Sequence, residues 1–104
     1  MKNYYVYILA SKARGTLYVG ISNSLERRYF EHVNAQNPNS FSARYRVKRL
    51  VYFEQTDSIE VAIHREKQLK KWHRQWKINL VESTNPAWHD LSKSYRMDAE
   101  TSSA

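Results

Sequence analysis

Residues 4–21 read YYVYILASKARGTLYVGI, and this stretch decides the fold. Tyr4 to Leu9 is an unbroken aromatic, β-branched and aliphatic run, the composition of a strand. Tyr5, Tyr7 and Leu9 fall on one face, and Tyr4, Val6 and Ile8 on the other. Thr16 to Ile21 repeats the pattern, with Tyr18 and Gly20 on one face and Leu17, Val19 and Ile21 on the other. Ser11, Lys12, Arg14 and Gly15 supply turn chemistry between them, so the two runs form a hairpin. With residues 12 and 13 at the tip, Tyr7 stands directly opposite Tyr18. A bulge at Gly15 would shift that register by one.

Downstream of the hairpin, helical spacing links Leu25, Arg28, Tyr29, His32 and Val33 in a helix over 25–34. Asn23 or Ser24 caps it, and Glu26 has capping-box spacing from Asn23. Arg28 and His32 share a face of that helix. Residues 35–49 are polar, basic and broken by Pro38, a long connection. Leu50 to Glu54 reads as a third strand. A second helix opens at Asp57 or Ser58 and ends near Trp72, with Ile59, Ala62, Ile63 and Leu69 as its buried stripe. A further helix spans Arg74 to Glu82. Asn85-Pro86 then turns the chain, and Trp88 and Leu91 dock back on the body. The order β-β-α-β-α-α predicts an α+β fold, a small, mainly antiparallel three-stranded sheet flanked by helices. One domain covers 1–94, and the small polar residues of 95–104 form a flexible tail.

At 104 residues the chain supports one core. It has no cysteine, which excludes a disulfide framework, thiolate zinc sites and thiol catalysis. No apolar run approaches the ~18 residues of a membrane span, and no signal-peptide pattern opens the chain, so a cytoplasmic protein is expected. The net charge of +7 is unevenly placed. Residues 1–53 hold nine Lys/Arg and two acidic residues, and so carry all of it. A basic half joined to a near-neutral half is the electrostatic footprint of a nucleic-acid binder.

Several polar residues interrupt these patterns. Glu66 follows Ala62 by four and precedes Leu69 by three, so it lies inside an apolar stripe. It either pairs with Lys70 at the stripe's edge or is retained there to bind a metal. Arg28 and His32 are either a solvated face or a fixed cation beside a titratable imidazole. His64, His73 and His89 match no zinc spacing. Trp72, Trp76 and Trp88 read as core and docking residues rather than base-stacking platforms.

Together these residues resemble the GIY-YIG nuclease family. The first motif stands as Tyr5-Val6-Tyr7 and the second as Tyr18-Val19-Gly20. The run Leu-Glu-Arg-Arg-Tyr-Phe-Glu-His at 25–32 looks like the family's Arg-x-x-x-His helix, and Arg-Glu-Lys-Gln-Leu-Lys-Lys-Trp at 65–72 like its Glu-bearing helix. The likeness covers residues 3–91. It is closest to small one-domain bacterial members, similar to the N-terminal nuclease domain of the excinuclease C subunit.

The resemblance implies an endonuclease that hydrolyses DNA phosphodiesters with one weakly held Mg²⁺ or Mn²⁺, directed to a structure or lesion in repair or recombination. Carried over by position, Tyr7, Tyr18, Arg28, His32 and Glu66 are its catalytic residues, and Glu66 is the metal ligand. Tyr7 would be the base, helped by His32 or Tyr18, while Arg28 would grip phosphate oxygens. Lys12, Arg14, Arg27, Arg44, Arg46, Lys48 and Arg49 could track the backbone without reading bases. DNA is the expected partner of a monomer, with RNA left open. Tyr5 stands where the family usually has Gly, and both Asn79 and Asn85 are candidates for the Asn many members carry after the Glu. The rival readings are a non-cleaving nucleic-acid-binding module of the same fold and, further off, a protein-interaction domain.

Overall fold

The computed structural model describes residues 2–25, 27 and 47–92. Three strands, β1 (Tyr4–Ala10), β2 (Leu17–Ser22) and β3 (Arg49–Thr56), form an antiparallel sheet in the order β2-β1-β3. Two helices follow, α1 (Ile59–Lys71) and α2 (Arg74–Thr84). This is the α+β architecture expected from the hydrophobic pattern. Leu25 and Arg27 are helical, and the rest of the expected 25–34 helix lies outside the described residues. So do most of the 35–49 connection and the tail.

The hairpin register differs from expectation. Tyr7 faces Gly20, and Tyr18 faces Leu9. The tip is wider than two residues: Ser11 N–H donates to the Thr16 carbonyl at 3.0 Å, and Gly15 N–H to the Lys12 carbonyl at 2.9 Å. Arg14, not Gly15, takes the left-handed conformation, at φ 55°. Gly15 is needed for room instead, because a Cβ there would overlap Ser11 Oγ and stand 2.8 Å from Lys12 Cγ. A non-glycine residue at positive φ is strained and must be held by its surroundings. Here the Arg14 guanidinium donates twice to the Glu82 carboxylate, at 2.9 and 3.1 Å, while Arg74 donates to the Arg14 and Gly15 carbonyls.

Strand alternation divides the sheet into two faces. Val6, Ile8, Ala10 and Val19 point toward α1 and α2 and pack with Ala62, Leu69, Ile78, Val81 and Trp88. Tyr7 and Leu9 point the other way, into a smaller cluster with Leu25, Val47 and Leu50. A register shift between Ile8 and Leu9 in the β1–β3 ladder lets consecutive Val51 and Tyr52 both face the helices.

α1 starts at Ser58, the second of the two expected openings, whose Oγ accepts from Val61 N–H. The helix is turned from the expected stripe. Ala62 and Leu69 are buried, but Ile59 and Ile63 are exposed. Small Ala62 permits close approach to the sheet, and Arg65 fixes the rotation through its bonds to Glu54 on β3. Trp88 docks as expected, with Nε1 donating to Glu82 at 2.7 Å, and Leu91 packs on the Tyr7 face. Trp76 does not join the core.

Candidate active site

The two motif tyrosines are brought together. Their ring centroids lie 6.4 Å apart with planes tilted by 36°. They are diagonal neighbours on one face, a separation aromatic side chains can span. Gly20 explains how they meet. It sits opposite Tyr7 in the ladder, and a methyl there would overlap Tyr7 Cζ and Oη and stand 2.8 Å from Cε1. The missing side chain is the seat of the Tyr7 ring, which leans from the central strand onto β2. Tyr7 is 1% exposed, whereas Tyr18 is only partly buried. Of the two phenols, Tyr18 is the one open to solvent.

The end of β2 aims the next segment. Ser22 Oγ donates to the Ser24 carbonyl and accepts from Ser24 N–H, both at 3.0 Å. Ser24 Oγ accepts from Arg27 N–H, so Ser24 is the cap, and Glu26 lies outside the described residues. Arg28 and His32, expected one turn apart beyond this cap, lie outside the described residues, as do Arg44 and Arg46.

Glu66 lies in the inner stripe of α1, between Ala62 and Leu69, with 16% of its side chain exposed. Its Oε2 is 2.9 Å from Lys70 Nζ, the i,i+4 pair weighed above, and the Lys70 side chain is 53% exposed. α1 packs on the Val6–Ile8 face, opposite the tyrosines. The helix contacts the edge strand β2 as well as β1 and β3, so Glu66 and the two tyrosines belong to opposite faces of the sheet. A hard oxygen donor suits Mg²⁺ or Mn²⁺. Among the described residues no three His, Cys, Asp or Glu side chains gather as a metal cage. A divalent ion there would lean on Glu66, waters and a substrate phosphate, with the exposed Lys70 ammonium displaced.

Of the basic residues read as phosphate contacts, Lys12 and Lys48 are exposed. Arg27 is exposed and donates to Asn23 Oδ1 at 2.8 Å. Arg14 is engaged by Glu82, and Arg49 donates to the Trp88 carbonyl at 3.0 Å. Arg14 pairing holds the Glu82 carboxyl below its ordinary range, helped by the Trp88 indole.

Two clusters escaped the sequence reading. Arg65 grips Glu54 through Nε and NH2, and the Tyr52 hydroxyl donates to Glu54 Oε2 at 2.5 Å. Burial pushes the Glu54 carboxyl up, but the Arg65 and Tyr52 hydrogen bonds outweigh it and the net shift is down. Tyr52 is pushed up to about 12, by burial first and then by that carboxylate. The only sequence signal was polar alternation on β3, which any half-solvated strand shows. The second cluster centres on Asn85. Its Nδ2 donates to the Val51 and His89 carbonyls at 3.1 and 2.9 Å, and its Oδ1 accepts from His89 N–H. Buried Asn85 is thus the latch of the C-terminal turn, while Asn79 is exposed and bonded to Gln75.

The fold has counterparts in other proteins. The model of the GIY-YIG catalytic domain matches residues 3–79. A UPF0213 protein of Staphylococcus saprophyticus is 36% identical over 81 residues, 78% of this chain and 96% of that protein. One from Clostridium perfringens is 40% identical over 79 residues, 76% of this chain and 83% of that protein. The solution NMR structure of a UPF0213 protein from Bacillus halodurans superposes with a TM-score of 0.54 at 27% identity, covering 88% of this chain and 95% of that one. With its paired motif tyrosines at the heart of a β2-β1-β3 sheet, this chain belongs to the GIY-YIG domain family, as a small member similar to the UPF0213 proteins.

Proposed function

We propose that this protein is a metal-dependent endonuclease that cleaves DNA phosphodiester bonds at a structure or lesion, with its site at the β2 edge of the sheet. The observation that carries the reading is the Tyr7–Gly20–Tyr18 arrangement. A core-filling strand has no use for a glycine that seats one phenol beside another. Membership of a domain family of nucleases supports hydrolysis as its purpose.

In this reading Tyr18, the more open phenol, takes the proton from the attacking water, and Tyr7 holds and orients it across Gly20. A neutral phenol is a poor base, so a cation beside it is required to favour the phenolate. Arg28 and His32 are the assigned sources of that charge, and Arg28 also follows the charge developing on the phosphate oxygens. Glu66 would hold the divalent ion, which when bound neutralises the leaving oxygen. Tyr5, in the position of the family's glycine, edges against Phe53 at 6.5 Å on β3, the side of β1 away from β2. It therefore leaves the Gly20 seat clear.

The test is incubation with plasmid, flap, branched and single-stranded substrates in Mg²⁺, Mn²⁺ or EDTA. Cleavage of one substrate class that EDTA abolishes is the expected result. Binding without cleavage in every condition would instead favour the non-cleaving module. The Lys70–Glu66 ion pair, which occupies the one assigned metal ligand, is the observation on that side. Affinity in either case should be mostly electrostatic, with log K falling by about 0.9 per duplex phosphate neutralised for each unit of log salt.

A further inference from the structure

Trp76 is 54% exposed on α2, while the other large aromatics among the described residues are mostly covered. It is nevertheless held in place. Trp72 meets it edge to face at 5.8 Å and His73 at 5.5 Å, and Arg65 stacks over Trp72 at 5.1 Å. Beside it Trp72, Asn79, Leu80 and Ser83 complete a shallow, largely apolar groove of about 310 Å³. An exposed indole fixed by neighbouring rings is a poor core residue and a good platform.

The charge around the platform selects its occupant. Lys71 is exposed at the end of α1, and on α2 Arg74 stands two residues before Trp76, bonded to the hairpin loop, and half-buried Lys77 one residue after it. Neither turn of α2 that carries Trp76 holds an acidic residue; Glu82 lies further along and is committed to Arg14 and Trp88. Burial and the nearby Arg74 charge lower the Lys77 ammonium pKa, so an anion would relieve that site. Arg74 also fastens the start of α2 to the hairpin loop, and that loop runs into β2 just before Tyr18. The platform thus belongs to the helical layer on the face opposite Tyr18, with its helix tied to the loop that enters β2.

We infer that Trp76 stacks an unpaired nucleobase while Lys71 and Lys77 meet its flanking phosphates, making this face a single-strand subsite of the nucleic-acid substrate. The inference rests on the proposed nucleic-acid activity and narrows its substrate to molecules with an unpaired segment. Base–aromatic stacking tolerates any base, because every base has a π face, so the subsite selects strandedness rather than sequence.

The experiment compares binding of an oligothymidylate and of a blunt duplex of equal length to the parent, Trp76→Ala and Trp76→Phe. Trp76→Ala should weaken oligothymidylate binding about 5- to 150-fold, the range for losing one stacked base, and leave duplex binding within about twofold. Trp76→Phe should retain most of the affinity. Trp76→Ala should leave the salt slope unchanged, whereas Lys77→Ala should reduce it by about 0.7, one single-strand phosphate. Equal oligothymidylate affinity for parent and Trp76→Ala would overturn the inference and leave the groove to an apolar protein segment. Equal losses on both probes would overturn it too. If the parent binds neither probe, the nucleic-acid function itself fails, a result distinct from failure of the subsite.

Discussion

The two faces of the sheet are made by the same three strands, yet they are built to different rules. The face toward α1 and α2 carries Val6, Ile8, Ala10 and Val19, aliphatic side chains that meet Ala62, Leu69 and Val81, with the polar ends of Tyr52 and Trp88 bonded to Glu54 and Glu82. The other face places Tyr7 and Tyr18 beside a glycine, with Leu9, Leu25 and Leu50 as backing. Stability on the first face comes from volume and fit, and alternative aliphatics of similar size would serve. On the second, two hydroxyl groups are kept at the cost of easier packing. The difference separates what holds the protein together from what the proposed chemistry uses.

The sharpest break of that contrast is Glu66→Gln, because Glu66 is a polar residue on the helix of the apolar face. If the carboxylate holds the metal ion, cleavage in Mg²⁺ falls to background while folding and DNA binding persist. The melting temperature stays level or rises, since an amide is easier to bury than a carboxylate. If only the Lys70 pair matters, the variant loses about 0.3–0.5 kcal/mol and cleaves at the parent's rate. Cleavage rate and melting temperature, measured side by side, decide between them.

Gly20→Ala attacks the second face. The new methyl displaces the Tyr7 ring, which overpacks the sheet by about 1–3 kcal/mol. Misplacing the phenol by about 1 Å should also lower cleavage roughly 100-fold at saturating metal. Leu69→Ala attacks the first face and should give the opposite profile. Denaturant unfolding should show a loss of about 2–5 kcal/mol, with cleavage per folded molecule unchanged. A Leu69→Ala protein that folds but no longer cleaves would dissolve the distinction between the faces.

The smallest effect concerns pH. Tyr52 is raised in the folded state to about 12, so the stability it contributes is complete below its unfolded pKa of ~10 and is lost as pH climbs from there toward 12. Glu54 is lowered, so its contribution is complete above the ordinary carboxyl range and fades as pH falls below it. Tyr52→Phe should flatten the alkaline limb of a melting-temperature profile and leave most of the acid limb, which Arg65 sustains.

The sheet, both described helices and the docking of Trp88 were legible because each rests on local composition and periodicity. What escaped depends on distant partners. The register of the hairpin turns on Arg14 adopting a left-handed conformation that Glu82 and Arg74 support from 60 or more residues away. At each helix start the sequence offered two caps, and the structure uses the serine of each pair, Ser24 and Ser58, a choice left to the backbone direction leaving the strand. Ile59 and Ile63 fit a helical stripe as well as Ala62 and Leu69 do, and only the Arg65–Glu54 bridge chooses between them. At the site, the tyrosine pair and Gly20 could be read from their motifs. The position of Glu66 across the sheet follows from how α1 is seated, which no local pattern encodes.

The strand order also has a consequence for how the chain is made. β1 leaves the ribosome first, yet it occupies the middle of the sheet, and its second neighbour is encoded some forty residues later. Until β3 emerges, the nascent hairpin keeps one side of its most apolar strand unpaired. Until Arg74 and Glu82 emerge, the Arg14 turn has only its local hydrogen bonds to keep its strained shape. During synthesis the N-terminal third is thus an incomplete structure awaiting its C-terminal half, and such exposed strand edges are where newborn chains aggregate or recruit chaperones. The C-terminal latch at Asn85 and Trp88 forms only after both helices have emerged, so a chain truncated before that point lacks the bonds that tie the last turn to β3 and to Glu82.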